Sequence, residues 1–205
     1  MSGRPAVLGV TGGIAAGKSA VMATLAGLGA ETIDADVVYR DLAQPGAPLL
    51  DRLRDHFGGD IIGRDGHLDR KALGAIVFSN ATKLAELDAL THPAVRAEID
   101  ARVAASSARV VAVEAVKLIE SGHAATCDQV WLVVADRNAQ LARLMARNGL
   151  SLKEAERRLV AQPDETARRL VADRILDNSG TLDELRRSVA AYWAALPRAE
   201  NRPRP

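Results

Sequence analysis

The sequence predicts an α/β protein: a parallel-sheet core with helices on its faces, interrupted by two helical excursions. Three observations predict this. Short β-branched runs alternate with stretches of helical period. Two of those runs, R-V-V-A-V at 109–113 and V-W-L-V-V-A at 130–135, are nearly continuous in apolar residues, as strands covered on both faces should be. Residues 41–105 and 138–170 contain amphipathic helical patterns and no convincing strand.

Residues 6–10 read as a buried first strand and 19–28 as the helix after it. In that helix Val21, Leu25 and Leu28 share a face, and Gly29 is placed to end it. Residues 31–35 form a short second strand that ends in Asp34 and Asp36. The span 41–105 is too long for a plain crossover and reads as an inserted helical subdomain, with helices over 69–78 and 81–90. His92-Pro93 then marks a joint, because Pro93 suits the first position of a following helix. Strands three and four are the two apolar runs, and Ile175 with Leu176 forms a brief fifth. Between the fourth and fifth lies an Arg-rich helical segment, 137–171, in which Ser151 and Glu154 form a capping box. Thr181 and Glu184 cap the last helix in the same way. The core is thus assembled from 1–40, 106–136 and 172–196, and the Pro- and Arg-rich tail 197–205 is expected to be disordered.

Composition bounds the function. The chain has 205 residues, 48% hydrophobic and 26% charged, and a net charge of +1. That balance gives no bulk attraction to nucleic acid or membrane, so an anion site must be built locally. No run approaches the ~20 apolar residues needed to span a bilayer. The single cysteine, Cys127, rules out an internal disulfide and fits a reducing, cytoplasmic setting. It is expected to be a partly buried, inert thiol. His56, His67 and His123 show no metal-ligand spacing.

The strongest motif is G-G-I-A-A-G-K-S at 12–19, a G-x-x-x-x-G-K-[ST] phosphate loop between a predicted strand and helix. Glycines let the backbone wrap so that successive N–H groups face a phosphate, and the helix N-terminus adds partial positive charge. Gly12, Gly13, Ala15, Ala16, Gly17, Lys18, Ser19 and Ala20 are the expected ATP-binding residues. Lys18 should reach the phosphates and the Ser19 hydroxyl should bind Mg2+. Asp34 and Asp36, at i and i+2, would share a strand face at the end where open α/β sheets bind ligands. An isolated D-x-D commonly caps a helix. Beside a phosphate loop, one carboxylate is expected to serve the acceptor, and Asp36, the outer one, is the choice. Glu114, after the third apolar strand, is expected to hold Mg2+ through water. Glu120 is either a second acid near the site or a surface charge. Arg143 and Arg147 share a helix face and suit phosphate binding as part of a closing lid. The function these residues indicate is phosphoryl transfer from ATP to a nucleotide-like acceptor.

Together these motifs resemble the dephospho-coenzyme A kinase family. The resemblance runs from about Val7 to Trp193 and rests on motif order: G-V-T-G-G-I-A-A-G-K-S at 9–19, I-D-A-D at 33–36, L-D-R at 68–70, I-V-F at 76–78, T-H-P-A-V-R at 91–96, L-I-E at 118–120, Q-L-A-R-L-M-A-R at 140–147 and A-D-R-I-L-D-N-S-G at 172–180. It implies a P-loop NTPase-like core, a helical acceptor domain and an Arg-bearing lid, with ATP and Mg2+ as cofactors and dephospho-coenzyme A as acceptor. By motif, Asp36 is the carboxylate for the acceptor hydroxyl. Asp177, Asn178 and Ser179 lie beside adenine, and His92, Arg96 and Glu120 lie on the acceptor side. The chain departs from the family at Val116-Lys117, where apolar residues are usual, and at Ala167, commonly basic, with Arg168 one place along. It also lacks the Met often found after the residue matching Gln162. Another nucleoside or nucleotide kinase, or a nucleotide-binding switch without turnover, remains an alternative. The expected assembly is a monomer or small homo-oligomer.

Overall fold

The computed structural model describes residues 4–160, 162 and 165–196. The tail 197–205 and Pro163 lie outside the described residues. The chain divides into two compact units, 1–33 with 103–205, and 34–102.

The first unit holds the sheet. Its strands β1 (Ala6–Gly12), β2 (Glu31–Asp34), β3 (Val110–Glu114), β4 (Gln129–Val134) and β5 (Arg174–Asp177) lie in the order β2-β3-β1-β4-β5. The pairs β1–β3, β1–β4 and β4–β5 are parallel. β1 is central because Val7, Leu8 and Val10 are buried and neighbours cover both its edges. Aspartates fix where strands begin: Val7 N–H donates to Asp128 at 2.8 Å and Val130 N–H to Asp173 at 2.7 Å. Helix α1 (Lys18–Gly27) buries Val21, Met22 and Leu25 in a core shared with Trp131, Leu176, Leu185 and Val189, the last two from α9 (Leu182–Ala194). Leu28 is exposed and does not join that face, whereas Gly29, at φ 96°, ends the helix as expected. Where β1 passes the connection after β3, Gly9 leaves room for its neighbours. A β-carbon there would stand 2.6 Å from Leu118 Cδ2 and 2.8 Å from Cys127 Sγ. Cys127 itself is half-buried, its thiol 3.6 Å from the His123 carbonyl.

Residues of the predicted lid form α6 (Arg137–Asn148), α7 (Leu152–Val160) and α8 (Glu165–Val171), in the same unit as the sheet. Leu141, Leu144, Ala155 and Leu159 make a small core of their own. Ser151 and Glu154 exchange hydrogen bonds at the start of α7, and Thr181 with Glu184 forms the capping box of α9.

The second unit is helical: α2 (Ala35–Leu42), α3 (Pro48–Phe57), α4 (Arg70–Val77) and most of α5 (Ala81–Ala105). It begins at Asp34 rather than at 41, because Tyr39 and Leu42 of α2 pack on its core of Leu49, Leu53, Ile61, Leu73 and Val77. Two sequence expectations fail here. Pro93 starts no new helix; it lies inside the 25-residue α5. Proline costs the interior of a helix a hydrogen bond, but Leu84, Leu87, Leu90 and Ala94 keep the helical spacing through it and pack on the core. Asp34 and Asp36 share no strand face, because β2 stops at Asp34 and α2 begins at Ala35. The Asp34 carboxylate accepts from Asp36 N–H at 2.8 Å and Val37 N–H at 3.2 Å, ending the strand as an N-cap.

Candidate active site

The carboxyl ends of β1, β3 and β5 supply Gly12, Glu114 and Asp177 to the end of a parallel sheet where α/β proteins bind ligands. From Gly12 the chain turns through the phosphate loop into α1. A β-carbon on Gly12 would stand 2.4 Å from the Val133 carbonyl oxygen, so the loop leaves the sheet in contact with β4. Gly17, at φ 106°, takes the left-handed conformation that opens α1 and faces Asn178, whose Nδ2 would lie 2.0 Å from an added β-carbon. Ala15 holds a left-handed φ of 57° without being glycine, a strained choice worth about 1–2 kcal/mol.

Lys18 is buried, and its ammonium donates to the carbonyls of Gly12 at 3.1 Å and Gly13 at 3.3 Å. Ser19 is exposed in the first turn of α1. Thr11 donates its hydroxyl to the Val116 carbonyl at 3.3 Å, tying the loop's base to the segment that follows half-buried Glu114.

Asn178 joins three parts of this unit. Its Nδ2 donates to Ala16 O at 2.8 Å and its N–H to Val134 O at 2.8 Å, and its carbonyl accepts from Arg143 Nη2 at 2.7 Å. Arg143 Nη1 is buried with no hydrogen-bond partner among the described residues. Arg147, one turn on, is exposed and bonds Asn148 Oδ1 at 3.2 Å. Asp177 accepts from the Ser179 hydroxyl at 2.6 Å and the Ser179 N–H at 2.8 Å. Those bonds, the hydroxyl's first, hold its carboxyl below the usual aspartate range. The Ser179 hydroxyl also accepts from Asp136 N–H at the start of α6.

A model of the dephospho-CoA kinase family matches residues 6–184. The chain belongs to that family. A dephospho-CoA kinase of Symbiobacterium thermophilum is 46% identical over 194 residues, covering 92% of this chain and 80% of that one. One of Geobacter metallireducens is 44% identical and covers 97% and 99%. Among solved structures, a Thermus thermophilus protein is similar with a TM-score of 0.79 at 34% identity, covering 95% and 99%. A dephospho-CoA kinase from Campylobacter jejuni gives 0.65 at 28%, covering 92% and 95%.

Other residues of the family's motifs lie as follows. Glu120 pairs with Arg168 at 3.1 Å, and Arg168 is only 3% exposed. On α8 it is Arg168 that faces inward, while Ala167 is exposed. In the helical unit, Asp36 is exposed in the first turn of α2. His92 Nε2 lies 3.3 Å from Asp88 on α5, and Arg96 is exposed one turn further. Among the described residues no group of three or more His, Cys, Asp or Glu could hold a metal, and no helix is long and apolar enough to cross a membrane.

Sequence reasoning assigned no role to Gln140 or Gln162. Gln140 Nε2 donates to Ile14 O at 3.2 Å, and Ile14 N–H donates to Gln162 Oε1 at 2.5 Å. Gln140 opens the Q-L-A-R-L-M-A-R run and Gln162 precedes the position where the family often has Met, but an uncharged amide gives no local pattern that announces a long-range bond.

Proposed function

We propose that this chain transfers the γ-phosphate of ATP to the ribose 3′-hydroxyl of dephospho-coenzyme A, giving coenzyme A and ADP. The observation that carries the reading is the family match over 6–184, with Lys18 and Ser19 intact at the opening of α1.

The residues fit a bound triphosphate. The first turn of α1 offers backbone N–H groups without helical partners. The Lys18 ammonium, held on loop carbonyls, exchanges them for phosphate oxygens. The buried Arg143 Nη1, without a hydrogen-bond partner among the described residues, is a charged donor awaiting an acceptor, an arrangement that costs about 1–3 kcal/mol until an anion fills it. Arg147 joins it on the same face of α6 to neutralise charge in the transition state. Asp177, Asn178 and Ser179 border adenine.

Ser19 and Glu114, the latter through water, would hold Mg2+, which supplies charge neutralisation on the phosphates. The Asp36 carboxylate takes the proton of the acceptor hydroxyl as that oxygen bonds to the γ-phosphorus. The bond to the bridging oxygen breaks, and ADP leaves with the electron pair. The helical unit, with His92 and Arg96, receives the acceptor, Glu120 is a further acceptor-side residue, and 137–171 acts as the lid. We place this activity in the cytoplasm, as a monomer or small homo-oligomer without nucleic-acid or membrane partners.

The test is ADP release from Mg-ATP with dephospho-coenzyme A, adenosine, AMP or no acceptor. Stimulation by dephospho-coenzyme A alone is expected. Phosphorylation of a free nucleoside with none of dephospho-coenzyme A would overturn the assignment.

A further inference from the structure

The tip of the phosphate loop is held from outside by two glutamines on one peptide unit after another. Gln140, on α6, donates to the Ile14 carbonyl, and Gln162, just beyond α7, accepts the Ile14 N–H. Gln162 is itself fixed, its backbone N–H donating to Leu159 O at 3.3 Å and its side-chain amide to the same oxygen at 3.5 Å. The fit is close: a β-carbon on Gly13 would stand 2.9 Å from Gln162 Oε1 and 3.3 Å from Gln140 Nε2. Apolar contact reinforces it, because Ile14 and Ala15 pack on the small core of Leu141, Leu144, Ala155 and Leu159. Lys18 takes the carbonyls of Gly12 and Gly13. Both polar groups of Ile14 and the carbonyls of Gly12 and Gly13 are therefore committed to protein partners, and the Ala16 N–H also donates to Gly13 O at 3.3 Å.

We propose that Gln140 and Gln162 are positioning residues that latch the helices α6 and α7 onto Ile14, so that docking of these helices and the shape of the phosphate loop form one equilibrium. Undocking would break both hydrogen bonds and expose Ile14 and Ala15, freeing the loop tip. Coupling of this kind is reciprocal: a nucleotide that needs the ordered loop favours the docked helices, and losing the latch weakens the nucleotide by the same factor. The inference rests on the ATP-binding half of the proposed function and requires no particular acceptor.

The experiment measures Mg-ATP affinity by calorimetry and hydrogen exchange at the Ile14 amide, in the full chain and in Gln140→Ala, Gln162→Ala, Gln162→Glu and the double alanine variant. Each alanine should weaken Mg-ATP about five-fold, the scale of one hydrogen bond, and the double variant about twenty-fold. Exchange at Ile14 should accelerate in Gln162→Ala and stay slow in Gln162→Glu, which keeps the accepting oxygen. KM for the acceptor should not move. Unchanged Mg-ATP affinity in the double variant, or parental exchange at Ile14, overturns the proposal. Because the calorimetry and the hydrogen exchange use no acceptor, a failure of the dephospho-coenzyme A assignment would leave these two results standing on their own.

Discussion

The phosphate loop and the surroundings of Asp36 are built on opposite principles. Within the first unit the loop is braced from several elements: Asn178 holds Ala16, Gln140 and Gln162 hold Ile14, and Thr11 holds Val116. Asp36 stands exposed on the first turn of α2, where its own N–H serves the Asp34 cap and its carboxylate has no ion pair among the described residues. A triphosphate site gains from preorganisation, since donors fixed in advance need no reordering when charge develops. The proton-taking role proposed for Asp36 would need reach and water exclusion when a substrate arrives, and an exposed place on a helix surface is compatible with that reach.

The sharpest way to break the comparison is to remove one residue from each side. Lys18→Ala should lose both Mg-ATP affinity and turnover, by about 10²–10³ in rate. Asp36→Asn should lower turnover by ~10²-fold while calorimetry finds Mg-ATP affinity nearly unchanged. Equal losses of nucleotide affinity in the two variants would dissolve the division.

Asn178→Ala comes next, since it strips the Ala16 carbonyl of a buried donor. It should cost about 1–3 kcal/mol in denaturant unfolding. Ala15→Gly tests the bracing from the other direction. Relief of the left-handed strain outweighs the added freedom of the unfolded chain, and the variant should be more stable by about 0.5–1 kcal/mol. A loss instead would show that the contacts of the Ala15 methyl with the α6–α7 core matter more.

The smallest effect concerns acid. Asp177 has a depressed folded pKa, so it contributes stability that is complete above its unfolded pKa and is lost as pH falls through the folded value. Ser179→Ala removes the larger cause and should raise the Asp177 pKa in a carboxyl NMR titration, moving the acid limb of unfolding to higher pH. An unmoved titration would assign the depression to the backbone N–H.

Much of this was legible in the sequence because its signals are local. Apolar runs gave β3 and β4 to within a residue at each end, and S-x-x-E and T-x-x-E marked the starts of α7 and α9. The phosphate loop was legible because its spacing is itself the geometry. What escaped depends on distant partners. Nothing in T-H-P-A-V-R says that Leu84, Leu87, Leu90 and Ala94 carry a helix through Pro93. Nothing near Arg168 says that Glu120, 48 residues away, takes its charge inside the protein. The strand face expected for both Asp34 and Asp36 fails because the capping geometry of Asp34 depends on where the ladder stops, and four residues are too few to show that.

Gly9 has a bearing on how such a chain can drift. The space its side chain would occupy belongs to Leu118 and Cys127, so the first strand and the segments on either side of residues 119–126 share one small volume. No single replacement at 9 that adds a β-carbon is neutral, yet alanine there together with a smaller residue at 118 or 127 restores the volume. These three positions should behave as one inherited unit. A library randomising them together should return folded chains in which bulk at 9 appears only with loss of bulk at 118 or 127, and free assortment among the survivors would show that the sheet yields where the packing says it cannot.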